Sequence, residues 1–215
     1  MSGPRSKSAK HQMTQLKAIV LDVDGVLTDG GVWWGPDGAE WKRFSFTDIM
    51  GVSRARKAGL QVALISGEDS PLVDRFAAKL GITEVEKNCK DKASALRAVA
   101  QRMRLRVSDL CFMGDDVNDL GAMKIAGLSA APANAITAVL LQAAFVTINS
   151  GGNGAVRELV EAILDARGEY GLRMTQELSH QETAHEEAAG HVNENEDSPL
   201  RESIAVTSPV VLRRK

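Results

Sequence analysis

Between Leu16 and Ala166 the apolar residues fall into short unbroken runs that alternate with segments of helical period. Residues 16–25 (LKAIVLDVDG) start as a continuous apolar run and finish in two acids and a glycine. That pattern suits a parallel strand buried on both faces. Residues 30–46 set two aromatic, β-prone runs around Gly35-Pro36-Asp37-Gly38, which predicts a β-hairpin. A helix is expected over 48–58, stopped by Gly59, then a buried strand over 61–66. A helix from Ser70 to Leu80 closes at Gly81, and a short strand (83–87) and a helix (91–104) follow. Residues 109–115 (DLCFMGD) repeat the apolar strand that ends in an acid. Further helices are predicted at 117–126, 135–143 and 154–166, with strands at 128–131 and 145–148. Strands alternating with helices imply an α/β fold, a Rossmann-like parallel sheet covered by helices on both faces.

The flanks differ from this core. Residues 1–15 are polar and basic and are expected to be a flexible N-terminal segment ahead of one domain at 16–167. Residues 168–215 are rich in Glu, Ser, Asn and His and read as an acidic, disordered tail. Three of the four histidines (His180, His185, His191) lie there, where a solvated tail explains them better than a metal site.

Composition narrows the function classes. A formal net charge of −2 over 215 residues gives no case for a nucleic-acid or membrane-surface partner. No apolar run reaches the roughly 18 residues needed to cross a bilayer. The N-terminus lacks the apolar stretch of a secretory signal. Cys89 and Cys111 form no disulfide framework and read as reduced residues of a cytoplasmic protein.

In an open parallel sheet, ligands bind beyond the carboxyl ends of the strands. Three strands here end in groups suited to phosphoryl transfer: Asp22-Val23-Asp24-Gly25, Ser66-Gly67, and Gly114-Asp115-Asp116 with Asp119 one turn later. A carboxylate can attack phosphorus and form an acyl phosphate that water then hydrolyses. Two anions must meet in that step, which calls for a hard divalent cation such as Mg²⁺, held by one or two carboxylates. Asp22 and Asp115 can supply them. Asp24, two residues on from Asp22, can reach the leaving oxygen as general acid and then act as base. Ser66 can donate its hydroxyl to a phosphate oxygen. Lys92, at a helix start, is chosen over Lys87 and Lys90 to balance the charge.

DVDGVLTDG, then ISG, then a lysine, then GDDVND resembles the four-motif pattern of the haloacid dehalogenase superfamily over residues 16–166. The resemblance implies that Asp22 is the nucleophile and Asp24 the acid/base. It implies Mg²⁺ on Asp22, the Asp24 carbonyl and Asp115, with Asp116 and Asp119 as indirect or water-mediated partners. No insertion is long enough for a cap domain. The Trp-containing hairpin and GGNGAVRE at 151–158 resemble the capless sugar-acid phosphatases acting on 3-deoxy-D-manno-octulosonate 8-phosphate. In that branch hairpins assemble a homotetramer and a neighbouring subunit closes each site, a use that suits Trp33, Trp34 and Trp41.

Two departures bear on substrate. The octulosonate branch has ITGR and an Arg-Asp-Gly segment where this chain has Ser66-Gly67-Glu68 and Thr47-Asp48-Ile49. Glu68 and Lys79 look more like relatives acting on 2-keto-3-deoxynononate 9-phosphate, which carry an arginine at the position of Phe76. Gly67, Glu68, Asp48 and Lys79 are therefore the candidate substrate-binding residues. A broad-specificity small-metabolite phosphatase is an alternative. A non-catalytic, receiver-like Mg²⁺-binding domain is another, and Asp24 argues against it, because an acid/base beside a stored phosphoryl group would discharge it.

Overall fold

A computed structural model describes residues 3–4 and 7–169; the tail expected at 168–215, apart from Gly168 and Glu169, lies outside the described residues. The elements run β1 (Gly3–Pro4), α1 (Lys7–Gln15), β2 (Ala18–Leu21), β3 (Trp33–Trp34), β4 (Glu40–Trp41), α2 (Phe46–Lys57), β5 (Gln61–Ile65) and α3 (Pro71–Leu80). After them come β6 (Glu84–Glu86), α4 (Lys92–Met103), β7 (Leu110–Met113), α5 (Leu120–Ile125), β8 (Leu128–Ala131), α6 (Thr137–Gln142), β9 (Phe145–Val146) and α7 (Ala155–Ala166). Short 3₁₀ turns precede β7 and α5.

The main sheet has the order β1-β9-β8-β7-β2-β5-β6. Every pairing in it is parallel except that of β1 with β9. β2 lies between β5 and β7, with Leu21 level with Leu64 and Met113. All four residues of β2 and all four of β7 are buried, as a sheet covered on both faces requires.

Period-two alternation divides the core. Ile19, Leu21, Leu64, Cys111 and Met113 pack with residues of α1, α2, α3 and α7. Ala18, Val20, Ala63, Ile65, Leu110 and Phe112 pack with those of α4, α5 and α6. Helix ends follow local chemistry. Ser70 caps α3 ahead of Pro71, and Gly81 ends it in the left-handed conformation. Asp91 caps α4 through the amides of Ala93 and Ser94, which fixes where Lys92 begins.

Two features depart from the sequence reading. Residues 7–15 form a helix rather than an unstructured lead. Ala9, Met13 and Leu16 recur at i, i+4 and i+7 and are each 1% exposed. The hairpin is real but short, pairing Trp33 with Trp41 and Trp34 with Glu40 in a separate two-stranded sheet. Its base is fixed by a bridge from Thr28 to Phe44 and by stacking of Phe44 on Phe76, 4.7 Å between ring centres.

Candidate active site

Asp22 and Ser66 follow directly on β2 and β5, and Asp115 follows β7 after one intervening residue; the carboxyl ends of these three adjacent strands lie side by side. Asp22, Asp24, Gly67, Glu68, Lys92, Asp115, Asp116 and Asn118 line one cavity of about 250 Å³ above those ends. Its centre is a buried ion network. Lys92, 2% exposed, places Nζ 2.8 Å from Asp22 Oδ1 and 2.6 Å from Asp119 Oδ1. The other Asp119 oxygen accepts the amides of Asp115 (2.8 Å) and Asp116 (3.1 Å). Both oxygens of Asp119 are thereby committed to holding the loop after β7 and the lysine. The Val23 amide also donates to Asp22 Oδ1, at 2.7 Å, which fixes the plane of that carboxylate.

Oxygens of Asp22, Asp115 and Asp119 lie within 4.8 Å of one another. Three carboxylates thus face one ammonium. Burial, and then the charge of Asp119, raise the pKa of Asp22 well above the ordinary carboxylate range against the pull of Lys92. The same two causes push Asp115 up to about 6. Burial opposes the charge on Lys92, but Asp22 and Asp119 outweigh it and hold its ammonium above the usual lysine value. A pocket with surplus negative charge and hard oxygen donors suits a divalent cation. With Asp119 committed, Asp22 and Asp115 are the side chains available to such an ion.

Glycine makes the geometry possible. A Cβ on Gly25, at φ +81°, would sit 2.0 Å from Asp115 Oδ2. A Cβ on Gly151 would sit 1.8 Å from the Gly25 carbonyl, so the 151–154 loop presses directly on the turn after β2. The Gly152 amide donates to the Val26 carbonyl there, at 2.9 Å.

Not every candidate residue faces the cavity. Ser66 is fully buried, and its Oγ accepts the Glu68 amide at 3.1 Å, so it shapes the 67–68 turn. Asp48 is a correction to the substrate-binding set. It is 1% exposed and accepts the amides of Gly154, Val156 and Arg157, so it caps α7. Lys79 lies over the Phe46 ring, 5.7 Å from its centre, and does not line the cavity. Phe76 is 5% exposed, and its ring stacks on Phe44 at the base of the hairpin.

One residue beside the cavity was given no role by the sequence reading. Lys42 reaches Asp24 with Nζ 2.9 Å from Oδ1 and 3.0 Å from Oδ2, and stands 3.5 Å from Glu40. Strand alternation was the available signal: Trp41 is 52% exposed, while the side chain of Lys42 is 3% exposed.

Known proteins resemble this chain in sequence and fold. Residues 70–159 match the haloacid dehalogenase-like hydrolase family. The 3-deoxy-D-manno-octulosonate 8-phosphate phosphatase of Escherichia coli strain B is 34% identical over 166 residues, covering 77% of this chain and 88% of that protein. The crystal structure of the enzyme of that name from Moraxella catarrhalis, in complex with magnesium ion, phosphate ion and KDO, superimposes with a TM-score of 0.77. It is 31% identical, with 80% of this chain and 99% of that one covered. The cobalt-bound phosphatase of Haemophilus influenzae gives a TM-score of 0.72 at 34% identity, over 74% of this chain and 93% of that one. The chain belongs to the haloacid dehalogenase-like hydrolases, in their capless sugar-acid phosphatase branch.

Proposed function

We propose that this protein is a Mg²⁺-dependent phosphatase that hydrolyses a sugar-acid phosphomonoester through an aspartyl phosphate on Asp22. The observation that carries the reading is Asp22 and Asp115 at two adjacent strand ends and Lys92 at the start of α4, all lining one cavity. The octulosonate phosphatase relatives supply the substrate class.

Each residue has a task. Asp22 and Asp115, with the Asp24 carbonyl, would hold the ion, which neutralises phosphate charge and orients the phosphoryl group. Lys92 holds Asp22 in line and offsets the remaining negative charge. An Asp22 oxygen attacks phosphorus, forming an O–P bond as the bond from phosphorus to the leaving oxygen breaks. The carboxyl proton of Asp24 passes to that oxygen, releasing the sugar acid as an alcohol. Water then attacks phosphorus and gives a proton to the Asp24 carboxylate. The acyl O–P bond breaks, and Asp22 is restored with release of inorganic phosphate. Asp116 and Asp119 act indirectly, by fixing the loop and Lys92. That Glu68 and Gly67 line the cavity supports reading them as the groups that meet substrate hydroxyls. Ser66 supports them from below.

The finer parts of the reading are a homotetramer, in which the hairpin indoles are covered by neighbouring copies, and a cytoplasmic location. Trp33, Trp34 and Trp41 are 57%, 75% and 52% exposed in the single chain. Among the described residues no helix is long and apolar enough to cross a membrane, and both cysteines are free thiols. Recovery with a membrane fraction after cell lysis would contradict the location.

The central test is Asp22→Asn, assayed for phosphate release from 3-deoxy-D-manno-octulosonate 8-phosphate and 2-keto-3-deoxynononate 9-phosphate. An amide cannot form the acyl phosphate, so turnover should fall by at least about a thousandfold on both. Chelation by EDTA should stop the wild type, and Mg²⁺ should restore it. Near-normal release by the purified variant would sink the mechanism.

A further inference from the structure

We propose that Lys42 is a positioning residue that holds the Asp24 carboxyl on the leaving-group side of the cavity and so ties the hairpin to proton transfer. The inference rests on the reading of Asp24 as the acid/base. It adds a residue from a different element, with a function of its own.

The geometry is specific. Lys42 contacts both oxygens of Asp24, at 2.9 and 3.0 Å. The ammonium donates a hydrogen bond to Oδ2 and lies in ion-pair contact with Oδ1, which holds the Asp24 carboxyl toward the hairpin. Lys42 is itself held. Glu40 stands 3.5 Å away, and the Ser70 hydroxyl, at the start of α3, donates to Glu40 Oε1 at 3.2 Å. The chain Asp24–Lys42–Glu40–Ser70 therefore links the turn after β2, the second hairpin strand and the helix that follows β5. The side chain of Lys42 is 3% exposed and that of Asp24 30%, so the contact is partly shielded from solvent.

The hairpin base is anchored independently. Arg43 bonds Asp29 (3.2 Å), the Gly152 carbonyl (3.0 Å) and Asn153 (2.8 Å). Removing Lys42 thus leaves the hairpin attached while releasing Asp24. Lys92 cannot replace it, because its ammonium is engaged by Asp22 and Asp119. Asp24 is at the same time the one acid of the β2 turn with no contact to Lys92, which fits a carboxyl set apart from the nucleophile for a different task.

General acid catalysis matters most when the leaving group is a strong base. A sugar alkoxide departs only as it is protonated, whereas p-nitrophenolate leaves as the anion. Damage to Asp24 placement should therefore separate the two kinds of substrate, and general damage to the fold should not. The experiment measures kcat and KM for 3-deoxy-D-manno-octulosonate 8-phosphate and for p-nitrophenyl phosphate. It uses the wild type, Lys42→Met, Lys42→Arg and Asp24→Asn, all at saturating Mg²⁺. For Lys42→Met, kcat on the sugar phosphate should fall about 10- to 100-fold further than kcat on p-nitrophenyl phosphate, the cost typical of a catalytic group displaced by about 1 Å. Asp24→Asn should show the same bias more strongly, and Lys42→Arg, which keeps a cation with several donors, should recover most of the lost ratio. Equal losses on both substrates for Lys42→Met, beside a biased Asp24→Asn, would overturn the Lys42 assignment alone. A raised KM for the sugar phosphate with an unchanged kcat ratio would also overturn it, making Lys42 a substrate-binding residue. Equal losses for Asp24→Asn would overturn the acid/base reading and the Lys42 proposal together.

Discussion

The two regions that make this surface distinctive invert the usual rule of apolar inside and charged outside. At the carboxyl end of the sheet, Lys92, Asp22 and Asp119 are 2%, 5% and 0% exposed. In the hairpin, eight residues before Lys42, Trp34 is 75% exposed. The difference lies in where each finds partners. The buried charges satisfy one another, with Lys92 between two carboxylates and Asp119 receiving two amides as well. The indoles have no such closure among the described residues. A charged cluster completed internally is a device for chemistry. An apolar surface left incomplete calls for another molecule.

Breaking the internal closure should have the largest effect. Asp119→Ala strips Lys92 of one of two counter-charges and leaves the amides of Asp115 and Asp116 without their acceptor. Removing one partner from a buried ion network typically costs about 3–5 kcal/mol. Urea unfolding monitored by tryptophan fluorescence is expected to show a loss of that size. A loss below about 1 kcal/mol would show that water reaches the cluster and that its burial carries little energy.

A smaller effect is expected where a buried acid serves a helix instead of the cavity. Asp48→Ala removes the acceptor for three amides at the start of α7. Loss of such a cap is expected to cost about 1–2 kcal/mol. KM for the sugar-acid phosphate should stay within about twofold, since Asp48 does not line the cavity. A large rise in KM with unchanged stability would return Asp48 to the substrate-binding set.

Asp48 also shows what sequence reasoning reads well and what it does not. Strand ends were legible, because an apolar run that stops in Asp-Val-Asp-Gly or Gly-Asp-Asp has both its burial and its chemistry written in consecutive residues. The placements of Asp22, Asp24, Lys92 and Asp115 around one cavity follow from that local grammar and from parallel topology. The capping role of Asp48 is not legible in the sequence, because its partners, Gly154 to Arg157, are more than a hundred residues away and only the packing of α2 on α7 brings them together. Lys42 was passed over for the same reason: its partner Asp24 lies across the hairpin base, 18 residues earlier. Helix α1 was missed because its apolar stripe is three residues among many polar ones, and Ala9 buries too little to stand out in a window. Long-range pairs and weak stripes depend on the tertiary context, which a single sequence does not display.

The smallest effect on the protomer is expected at the hairpin, and there the comparison becomes sharpest. Trp34 is 75% exposed, so Trp34→Ser removes little that the single chain buries and should change unfolding free energy by no more than about 0.5 kcal/mol when measured on the monomer. Assembly should respond differently. A buried indole at the centre of an interface commonly contributes 2 kcal/mol or more, roughly thirtyfold in an association constant, and a homotetramer repeats each contact by symmetry. Light scattering across a dilution series should therefore show the variant dissociating at concentrations where the wild type remains assembled. Phe46 and Met50, 73% and 48% exposed on the first half of α2, are on the chain that continues from the hairpin, and Phe46→Ser gives a second reading of the same surface. If both variants and the wild type share one mass at every concentration, the hairpin face is not what holds the copies together. If the wild type is itself monomeric at micromolar concentration, the indoles await a different partner. Either result separates the two regions further, because the contacts of Lys92 with Asp22 and Asp119 are made within one chain.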